Sequence, residues 1–244
     1  MVKKAIILAA GQGRRLLPLT RNRPKCLLKV GGKTILEHQM ERLARSGIDD
    51  VTVVTGYQAE KIHLLLSGRV TYIHNDDCLV TSSLYSFWLA RESAKDGFIV
   101  LNSDVLFHEE ILYNLLVSPH PDVLAMEYNQ RLGEEEMKIQ VNNGKVKNMS
   151  KSLTKFSGEN VGIVKFSKKG AEKLLQTVEA NVKAGIVNVP IPYAFDQLAK
   201  HSSLFGVSTG KLPWIEIDFV EDLEKARQVI HPAIVAMEGT KRAA

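Results

Sequence analysis

A glycine-rich loop with clustered positive charge follows the first apolar run, in LAAGQGRRLLPLTRNRPK at residues 8–25. Gly11 and Gly13 can adopt positive φ and allow a ligand to approach the backbone closely. Successive amides in such a loop form an anion-binding nest, and Arg15 and Lys25 would add charge beside it. The loop therefore predicts a site for a phosphate chain.

Two common phosphate-binding motifs do not fit this loop. A G-x-G-x-x-G motif needs glycine where the chain has Leu16, and a P-loop needs G-K-[ST] at its end. A dinucleotide-binding loop and a P-loop NTPase are therefore both disfavoured. A tight glycine turn with solvated arginine side chains stays open as the alternative.

Two acidic residues stand where strands are expected to end. Asp104 lies in VLNSDVLF at 100–107, and Asp218 lies in LPWIEIDFVEDL at 212–223, just before the last predicted helix. Because ligands bind beyond the carboxyl ends of parallel strands, both carboxylates are candidates for the crevice that holds the loop. Each is also suited to cap the helix that follows it.

The elements that must position these residues alternate between strand and helix. Continuous apolar runs predict strands buried on both faces, and apolar residues at helical spacing predict the helices. The predicted strands are 5–9, 51–55, 70–74, 98–101, 123–127, 137–141, 145–149, 161–166, 204–208 and 214–217. The predicted helices are 34–46, 58–66, 82–94, 109–116, 168–178, 192–200 and 219–230. This alternation predicts an α/β chain with a mainly parallel sheet.

The later part of the chain departs from that pattern. An Asn-Asn-Gly turn at 142–144 predicts a small inserted β-hairpin layer. No internal repeat or break in composition divides the sequence. We therefore expect a single domain over residues 1–232 and a C-terminal tail over 233–244, frayed or contributing weakly beyond Pro232.

Composition limits the class of protein. The 244 residues are 45% apolar and 24% charged, which is ordinary for a globular chain with a sizeable core. Cys26 and Cys78 lie outside any CxxC pair, which argues against a disulfide framework and a zinc site. The first apolar run does not have the pattern expected of a signal peptide, and no run reaches the ~18–20 apolar residues of a membrane span. We expect a cytoplasmic protein without a membrane span.

Positive charge concentrates near the start of the chain. The formal net charge is only +5. The cluster consists of Arg14, Arg15, Arg21, Arg23, Lys25 and Lys29. Its position in a glycine loop favours a small anionic ligand over a nucleic-acid surface.

The longer pattern resembles a family signature. LAAGQGRRL at 8–16, PLT at 18–20 and RPKCLLKVGGKTIL at 23–36 resemble L-A-A-G-x-G-[ST]-R-L followed by P-K-x-L and G-K-x-[IM]-L. This is the signature of nucleotidyltransferases with the MobA-like, sugar-phosphate NTP transferase fold. Arg14 departs from it, standing where the family has Ser or Thr. The resemblance implies a Rossmann-like three-layer sandwich around a mainly parallel mixed sheet, the nucleotide-diphospho-sugar transferase fold.

The resemblance also implies roles for individual residues. Arg15 would hold the triphosphate, Lys25 would lie against the α-phosphate, and Asp104 and Asp218 would bind Mg²⁺, so that these four form the catalytic set. Mg²⁺ usually takes one or two carboxylates plus substrate phosphates. The implied nucleotide-binding residues are Leu8, Ala9, Ala10, Gly11, Gly13, Arg14, Gly56, Tyr57, Ser82 and Ser83. An acceptor phosphate is already ionised, so no general base is expected.

Three further segments narrow the resemblance. Residues 75–90, 158–174 and 213–226 resemble cytidylyltransferases of the phosphocholine type. The implied partners are CTP and a small phosphorylated amino alcohol or phosphonate, with a homo-oligomer possible. Because aromatic faces and carboxylates hold an ammonium well, the predicted acceptor-binding residues are Tyr128, Glu159, Tyr193, Asp196, Trp214 and Glu216.

Two other functions stay open at this point. One is a sugar-1-phosphate or inositol-phosphate nucleotidyltransferase that uses the same machinery. The other is a nucleotide-sensing regulator that binds CTP without turnover.

Overall fold

The computed structural model describes residues 2–242 of the chain. Its strands are β1 (Lys4–Ala9), β2 (Lys29–Val30), β3 (Lys33–Thr34), β4 (Asp50–Thr55), β5 (Thr71–His74), β6 (Phe98–Asn102), β7 (Val105–Phe107), β8 (Val123–Glu127), β9 (Lys138–Asn142), β10 (Lys145–Met149), β11 (Gly158–Phe166), β12 (Phe205–Ser208) and β13 (Trp214–Glu216). Its helices are α1 (Ile35–Arg45), α2 (Ala59–Leu66), α3 (Ser83–Leu89), α4 (Glu109–Val117), α5 (Lys168–Lys183), α6 (Pro192–His201), α7 (Val220–Lys225) and α8 (His231–Arg242).

Within residues 2–242, nine strands form one mixed sheet in the order β5-β4-β1-β6-β11-β8-β12-β10-β9. Strands β5, β4, β1 and β6 are parallel to one another, whereas β11 is antiparallel to both β6 and β8. The chain proceeds from β1 to β4 on one side and returns with β6 on the other. The carboxyl end of β1 is therefore a topological switch point, where α/β proteins bind ligands.

Helices cover both faces of this sheet. On one face, α3, α5 and α6 pack against it through side chains such as Phe87, Leu174 and Phe195. On the other face, α1, α2 and α4 pack against it through side chains such as Leu36 and Leu112. These two apolar layers produce a three-layer α/β sandwich, and the predicted fold class is confirmed.

The predicted hairpin forms and joins the main sheet. Asn143 and Gly144 both have positive φ, at 49° and 73°, as a tight turn between antiparallel strands requires. Strand β10 pairs with β12, and β9 pairs with both β10 and β11. The hairpin therefore extends the sheet at this edge.

A short ribbon outside the main sheet was not fully predicted. Strand β13 pairs antiparallel with β7, so that Glu216 lies opposite Val105. The Ile217 amide then donates a hydrogen bond to the Asp104 carbonyl oxygen at 3.0 Å. This register brings the end of β6 next to Asp218.

The segment after Pro232 differs from the expectation. It was expected to fray, but residues 231–242 form α8, and Ile234 is buried. The helical backbone continues from α7 into α8 through a wider π-helical turn at Ala226–Ile230. Pro232, which has no amide hydrogen to donate to the preceding turn, follows directly after this irregular turn. The expectation of a frayed tail is wrong for residues 233–242, while residues 243–244 lie outside the described residues. The division at residue 232 stays a prediction.

A third apolar cluster joins elements that are distant in sequence. Leu16 and Leu28 from the first loop pack with Ile217 after β13 and with Ile234 on α8. Each of these side chains is at most 4% exposed. The cluster thus fixes the first loop against the segment that carries Asp218.

The sequence also led to predictions about the two cysteines and about membrane spans. Cys26 is buried, Cys78 is half-buried, and both are free thiols. Among residues 2–242, no helix has the length and apolar character needed to cross a membrane. The cytoplasmic location stays a prediction.

Candidate active site

A cavity of about 450 Å³ opens at the carboxyl end of β1. This volume lies in the range of small-molecule sites. The loop after β1, the start of α3, the turn between β6 and β7, and the end of β13 all contribute to its walls. The cavity therefore coincides with the topological switch point.

Gly13 allows the first loop to fold tightly over Lys25. Its φ is +67°, and a Cβ placed on it would lie 2.9 Å from the Cβ of Lys25. The Thr20 hydroxyl donates to the Gly13 carbonyl oxygen at 2.8 Å and closes the turn. Any side chain at this position would combine backbone strain with a clash against Lys25.

Lys25 lies at the centre of an ion cluster. Its Nζ is 2.6 Å from Asp104 Oδ2 and 2.6 Å from Asp218 Oδ1, while Arg15 Nη2 lies 2.7 Å from Asp218 Oδ2. Burial alone would lower the pKa of Lys25, but the charges of the two aspartates outweigh it and raise that pKa. Burial likewise opposes the ionised form of Asp218, yet Lys25 and Arg15 lower its pKa. The structure thus brings the four residues of the predicted catalytic set together.

The turn that carries Asp104 is held from both sides. The buried Gln39 amide on α1 donates to the Asn102 and Val105 carbonyl oxygens at 2.8 and 2.9 Å. From the other side, Ile217 donates to the Asp104 carbonyl oxygen. These bonds fix the backbone around Asp104.

One oxygen of the cluster is a candidate ligand for a metal ion. Asp104 Oδ1 is buried and has no hydrogen-bond partner, which is costly unless something binds it. Within residues 2–242, no group of three or more His, Cys, Asp or Glu side chains could hold a metal by itself. Two carboxylates that need substrate oxygens to complete the coordination fit Mg²⁺, which prefers that arrangement.

Glu216 adds a third acid to this end of the cavity. It lines the cavity, and Asn102 Nδ2 donates to its Oε1 at 3.3 Å. Burial, and then the charges of Asp104 and Asp218, raise the pKa of Glu216. A cationic ligand group would relieve this crowding of negative charge.

Most of the predicted nucleotide-binding residues line the cavity. Those that do are Leu8, Ala10, Gly11, Gly13, Arg14, Ser82 and Ser83. Arg14, the departure from the family signature, is exposed and donates from Nε to Gln12 Oε1 at 2.9 Å. Ser82 precedes α3 without a side-chain capping bond, and Ser83 Oγ accepts from the Ile191 amide at 2.9 Å.

Three predicted nucleotide-binding residues are not among those that line the cavity. Ala9 is buried in the apolar layer between the sheet and the helices α1, α2 and α4. Gly56 packs against Cys78, and the Tyr57 amide donates to the Ala10 carbonyl oxygen at 3.1 Å. Gly56 and Tyr57 therefore support the first loop from outside the cavity lining.

The structure brings the predicted acceptor pocket together only in part. Glu216 is the one residue among the six predicted that lines the cavity. Trp214 Nε1 donates to Glu127 Oε2 at 2.7 Å, and Glu159 lies opposite Glu127 on the neighbouring strand. Asn160, the neighbour of Glu159 on β11, lines the cavity. Because neighbouring residues of a strand point to opposite faces of the sheet, the Glu159 side chain lies on the face away from the cavity. Glu159, Glu127 and Trp214 therefore form a separate cluster. Tyr128 is exposed.

The structure does not bring the two predicted residues of α6 to the cavity. Asp196 accepts from the Met149 amide at 2.8 Å and pairs with Lys200 at 2.7 Å. The bond to Met149 ties α6 to β10, and the pair with Lys200 lies within α6, so both contacts give Asp196 a structural role. Tyr193 is exposed on the same helix.

Sequence reasoning missed several cavity residues. Lys151, Glu135 and Met137 line it from the segments around the hairpin, where the family resemblance was loosest. Asn160 is 7% exposed, lines the cavity and has an unpartnered Oδ1. Its place in GENVG was within a segment that resembled the subgroup, which is the signal that could have identified it.

Glu159 predicts a dependence of stability on pH. Burial, and then the charges of Glu136 and Glu127, raise its pKa to about 7, with Asn129 and Lys225 acting in the opposite direction. The folded state therefore binds a proton that the unfolded state releases near pH ~4.3, and stability falls as pH rises from there to about 7.

Replacing Glu159 with glutamine removes this penalty. Because the side chain is only half-buried, we expect a gain of about 1 kcal/mol at pH 8, or ~2–4 °C in Tm. The gain should shrink as the pH falls toward about 5 in a thermal unfolding series. Glu172→Gln, at an exposed position of α5, is the control. A gain independent of pH would contradict the assignment.

Comparisons with known proteins agree with this geometry. The family described as the MobA-like NTP transferase domain matches residues 5–135, more than half of the chain. A "Bifunctional IPC transferase and DIPP synthase" from Aquifex aeolicus is 27% identical over 94% of this chain and 52% of its own length. A "Choline-phosphate cytidylyltransferase" from Streptococcus pneumoniae is 37% identical over 43% of this chain and 46% of its own length. The chain thus spans about half the length of these curated relatives.

A solved structure shares the fold over nearly the whole chain. The CTP:phosphocholine cytidylyltransferase LicC from Streptococcus pneumoniae superposes with a TM-score of 0.80 at 24% identity. The match covers 94% of this chain and 99% of that one. At this level of identity the likeness concerns the fold alone.

Proposed function

Since this chain belongs to the family of MobA-like NTP transferase domains, we propose that it couples CTP to a small phosphorylated acceptor and releases pyrophosphate. The observation that carries the proposal is the ion cluster of Lys25, Asp104 and Asp218 beside the glycine loop. A cation between two acids, next to backbone amides that can bind phosphate, suits phosphoryl chemistry.

The proposed reaction forms one bond and breaks one. An oxygen of the acceptor phosphate attacks the α-phosphorus of CTP, and the bond to the bridging oxygen of the β-phosphate breaks. The electron pair leaves with pyrophosphate. The attacking oxygen is already ionised, so no residue has to remove a proton. The main barrier that the protein must lower is the repulsion between two anions.

Residues of the cluster suit this task. Arg15 and the amides of residues 11–13 would bind the triphosphate, and Lys25 would exchange carboxylate oxygens for those of the α-phosphate. Asp104 and Asp218 would hold Mg²⁺, which when bound adds positive charge between the substrates. The unpartnered Oδ1 of Asp104 supports that assignment.

The choice of CTP rests on two observations. A relative that is 37% identical over 105 residues is named a choline-phosphate cytidylyltransferase. The base end of the cavity is built from small groups, including Ala10, Ser82 and Ser83. The two serine hydroxyls can both donate to and accept from the ring substituents of a cytosine.

For the acceptor, we propose a phosphorylated amino alcohol or phosphonate, such as phosphocholine, phosphoethanolamine or 2-aminoethylphosphonate. Glu216 supports this choice because it lines the cavity, and a cationic group beside it would favour the ionised form that burial and the two aspartates disfavour. The cluster of Trp214, Glu127 and Glu159 lies outside the cavity lining and would bear on the acceptor only indirectly.

A sugar-1-phosphate or inositol-phosphate acceptor is the second candidate. Asn102 and Asn160 line the cavity, and side-chain amides suit hydroxyl groups because they both donate and accept. No aromatic side chain of the described residues is among those that line the cavity, which weakens the argument for a quaternary ammonium.

Pyrophosphate release in the presence of Mg²⁺ tests the proposal. The four nucleoside triphosphates would each be combined with phosphocholine, phosphoethanolamine, 2-aminoethylphosphonate, inositol phosphate and glucose 1-phosphate. Release with CTP and an amine-bearing acceptor supports the first candidate, and release only with a sugar or inositol phosphate supports the second. CTP binding without release under any acceptor would favour a nucleotide-sensing regulator.

A further inference from the structure

A carboxylate of the chain itself lies between two cations of the cavity. Glu135 Oε2 is 2.6 Å from Arg15 Nη1 and 3.0 Å from Lys151 Nζ. All three side chains line the cavity. Arg15 comes from the first loop and Lys151 follows β10, so one oxygen joins two separate segments.

This geometry is that of a bound anion. Guanidinium and ammonium groups bind carboxylate and phosphate oxygens with the same donors and similar distances. A phosphate oxygen placed where Glu135 Oε2 lies would therefore satisfy both Arg15 and Lys151. The carboxylate occupies a position that an anionic substrate would need.

Both terminal nitrogens of Arg15 are already bound to acids in this state. One of its terminal nitrogens binds Asp218 and the other binds Glu135. A triphosphate that binds Arg15 through both terminal nitrogens therefore competes with these acids. Asp218 also binds Lys25 and is 20% exposed in its side chain, whereas that of Glu135 is 56% exposed. Exposed pairs are weak and exchange easily, so Glu135 is the acid that leaves.

We propose that Glu135 is an internal substitute for a substrate phosphate, which competes for Arg15 and Lys151 and is released when the nucleotide binds. This inference rests on the proposed function of the cavity. Its consequence is that substrate binding also frees the segment 128–137 between β8 and β9 from the first loop. The contact sets the affinity for the nucleotide without taking part in the chemical step.

Neutralising the competitor tests the inference. In Glu135→Gln, the dissociation constants for CTP and for inorganic tripolyphosphate should fall about two- to fivefold, the effect of losing an exposed ion pair. The difference in dissociation constant between Glu135→Gln and the wild type should become smaller as the salt concentration rises, since salt screens exposed charges. Isothermal titration calorimetry measures both ligands.

Glu134→Gln is the matched control. Glu134 is the exposed neighbour of Glu135 and is not among the residues that line the cavity. Both variants remove one negative charge, so a general effect of net charge would lower both dissociation constants equally. Only a decrease specific to Glu135→Gln supports the inference.

Each other outcome is informative. Equal or weaker tripolyphosphate binding in Glu135→Gln, or no binding to any of the three proteins, overturns the inference. Turnover of the wild type with CTP and the acceptor panel is measured in parallel and reports on the proposed function. If Glu135→Gln binds tripolyphosphate more tightly but the wild type shows no turnover, the inference stands and the proposed function is contradicted. If the wild type turns over but Glu135→Gln binds tripolyphosphate with unchanged affinity, the proposed function stands and the inference is contradicted.

Discussion

Replacing Lys25 with methionine is expected to lower the rate of pyrophosphate release at least about a thousandfold, the size of effect seen when a key positive group is removed from phosphoryl-transfer sites. Methionine keeps the length of the side chain and removes its charge. Asp104 and Asp218, both within 2.6 Å of Nζ, would then face each other without a neutralising cation. The rate loss should therefore come with a lower Tm, since breaking a partly buried ion cluster is destabilising.

A folded variant is needed for this test to be decisive. Circular dichroism and thermal unfolding establish whether Lys25→Met keeps the fold, and CTP titration separates binding from turnover. Lys29→Met, at an exposed position in the same segment, should retain full activity. A folded Lys25→Met that turns over within about tenfold of the wild type would remove Lys25 from the reaction.

Replacing Asp104 with asparagine is the second large expected effect. Asparagine keeps the shape and the backbone turn but supplies no negative charge, so turnover should fall at least about a hundredfold. In the presence of CTP, the apparent affinity for Mg²⁺ should weaken at least about tenfold. Manganese binding followed by electron paramagnetic resonance gives a readout that does not depend on turnover.

A surface aspartate provides the control for charge alone. Asp96 is exposed and pairs with Lys168 at 3.4 Å, so Asp96→Asn should change neither turnover nor metal affinity. Full activity with unchanged metal affinity in Asp104→Asn would show that the unpartnered Oδ1 of Asp104 is not a metal position.

Local signals account for the part of the fold that the sequence predicted. Apolar runs identified β1, β4 and β6 because these strands are buried on both faces over most of their length. A helix was predicted from residue 34, and α1 begins directly after that residue with a capping box in which both bonds between Thr34 and Glu37 are present. The β7–β13 ribbon was not predicted in full, because each strand has three residues and the partner lies more than a hundred positions away.

The site was predicted unevenly for a related reason. Chemistry at strand ends identified Asp104 and Asp218, but residue type alone does not determine which face a side chain takes. Trp214 and Glu216 were expected to share a pocket, yet Trp214 binds Glu127 while Glu216 lines the cavity. Lys151 was missed because the segment around the hairpin carries little local pattern.

The ion pair between Lys25 and Asp218 also bears on how the protein is made. These residues are 193 positions apart, and chains acquire structure from the N-terminus first as they leave the ribosome. A nascent chain synthesised to residue 200 holds Lys25 and Asp104 but lacks Asp218 and the Ile217 amide that fixes the Asp104 turn. Nucleotide chemistry therefore has to wait for the last strand to emerge. Arrested nascent chains of increasing length would bind nucleotide in a single late step, and early binding would contradict this order.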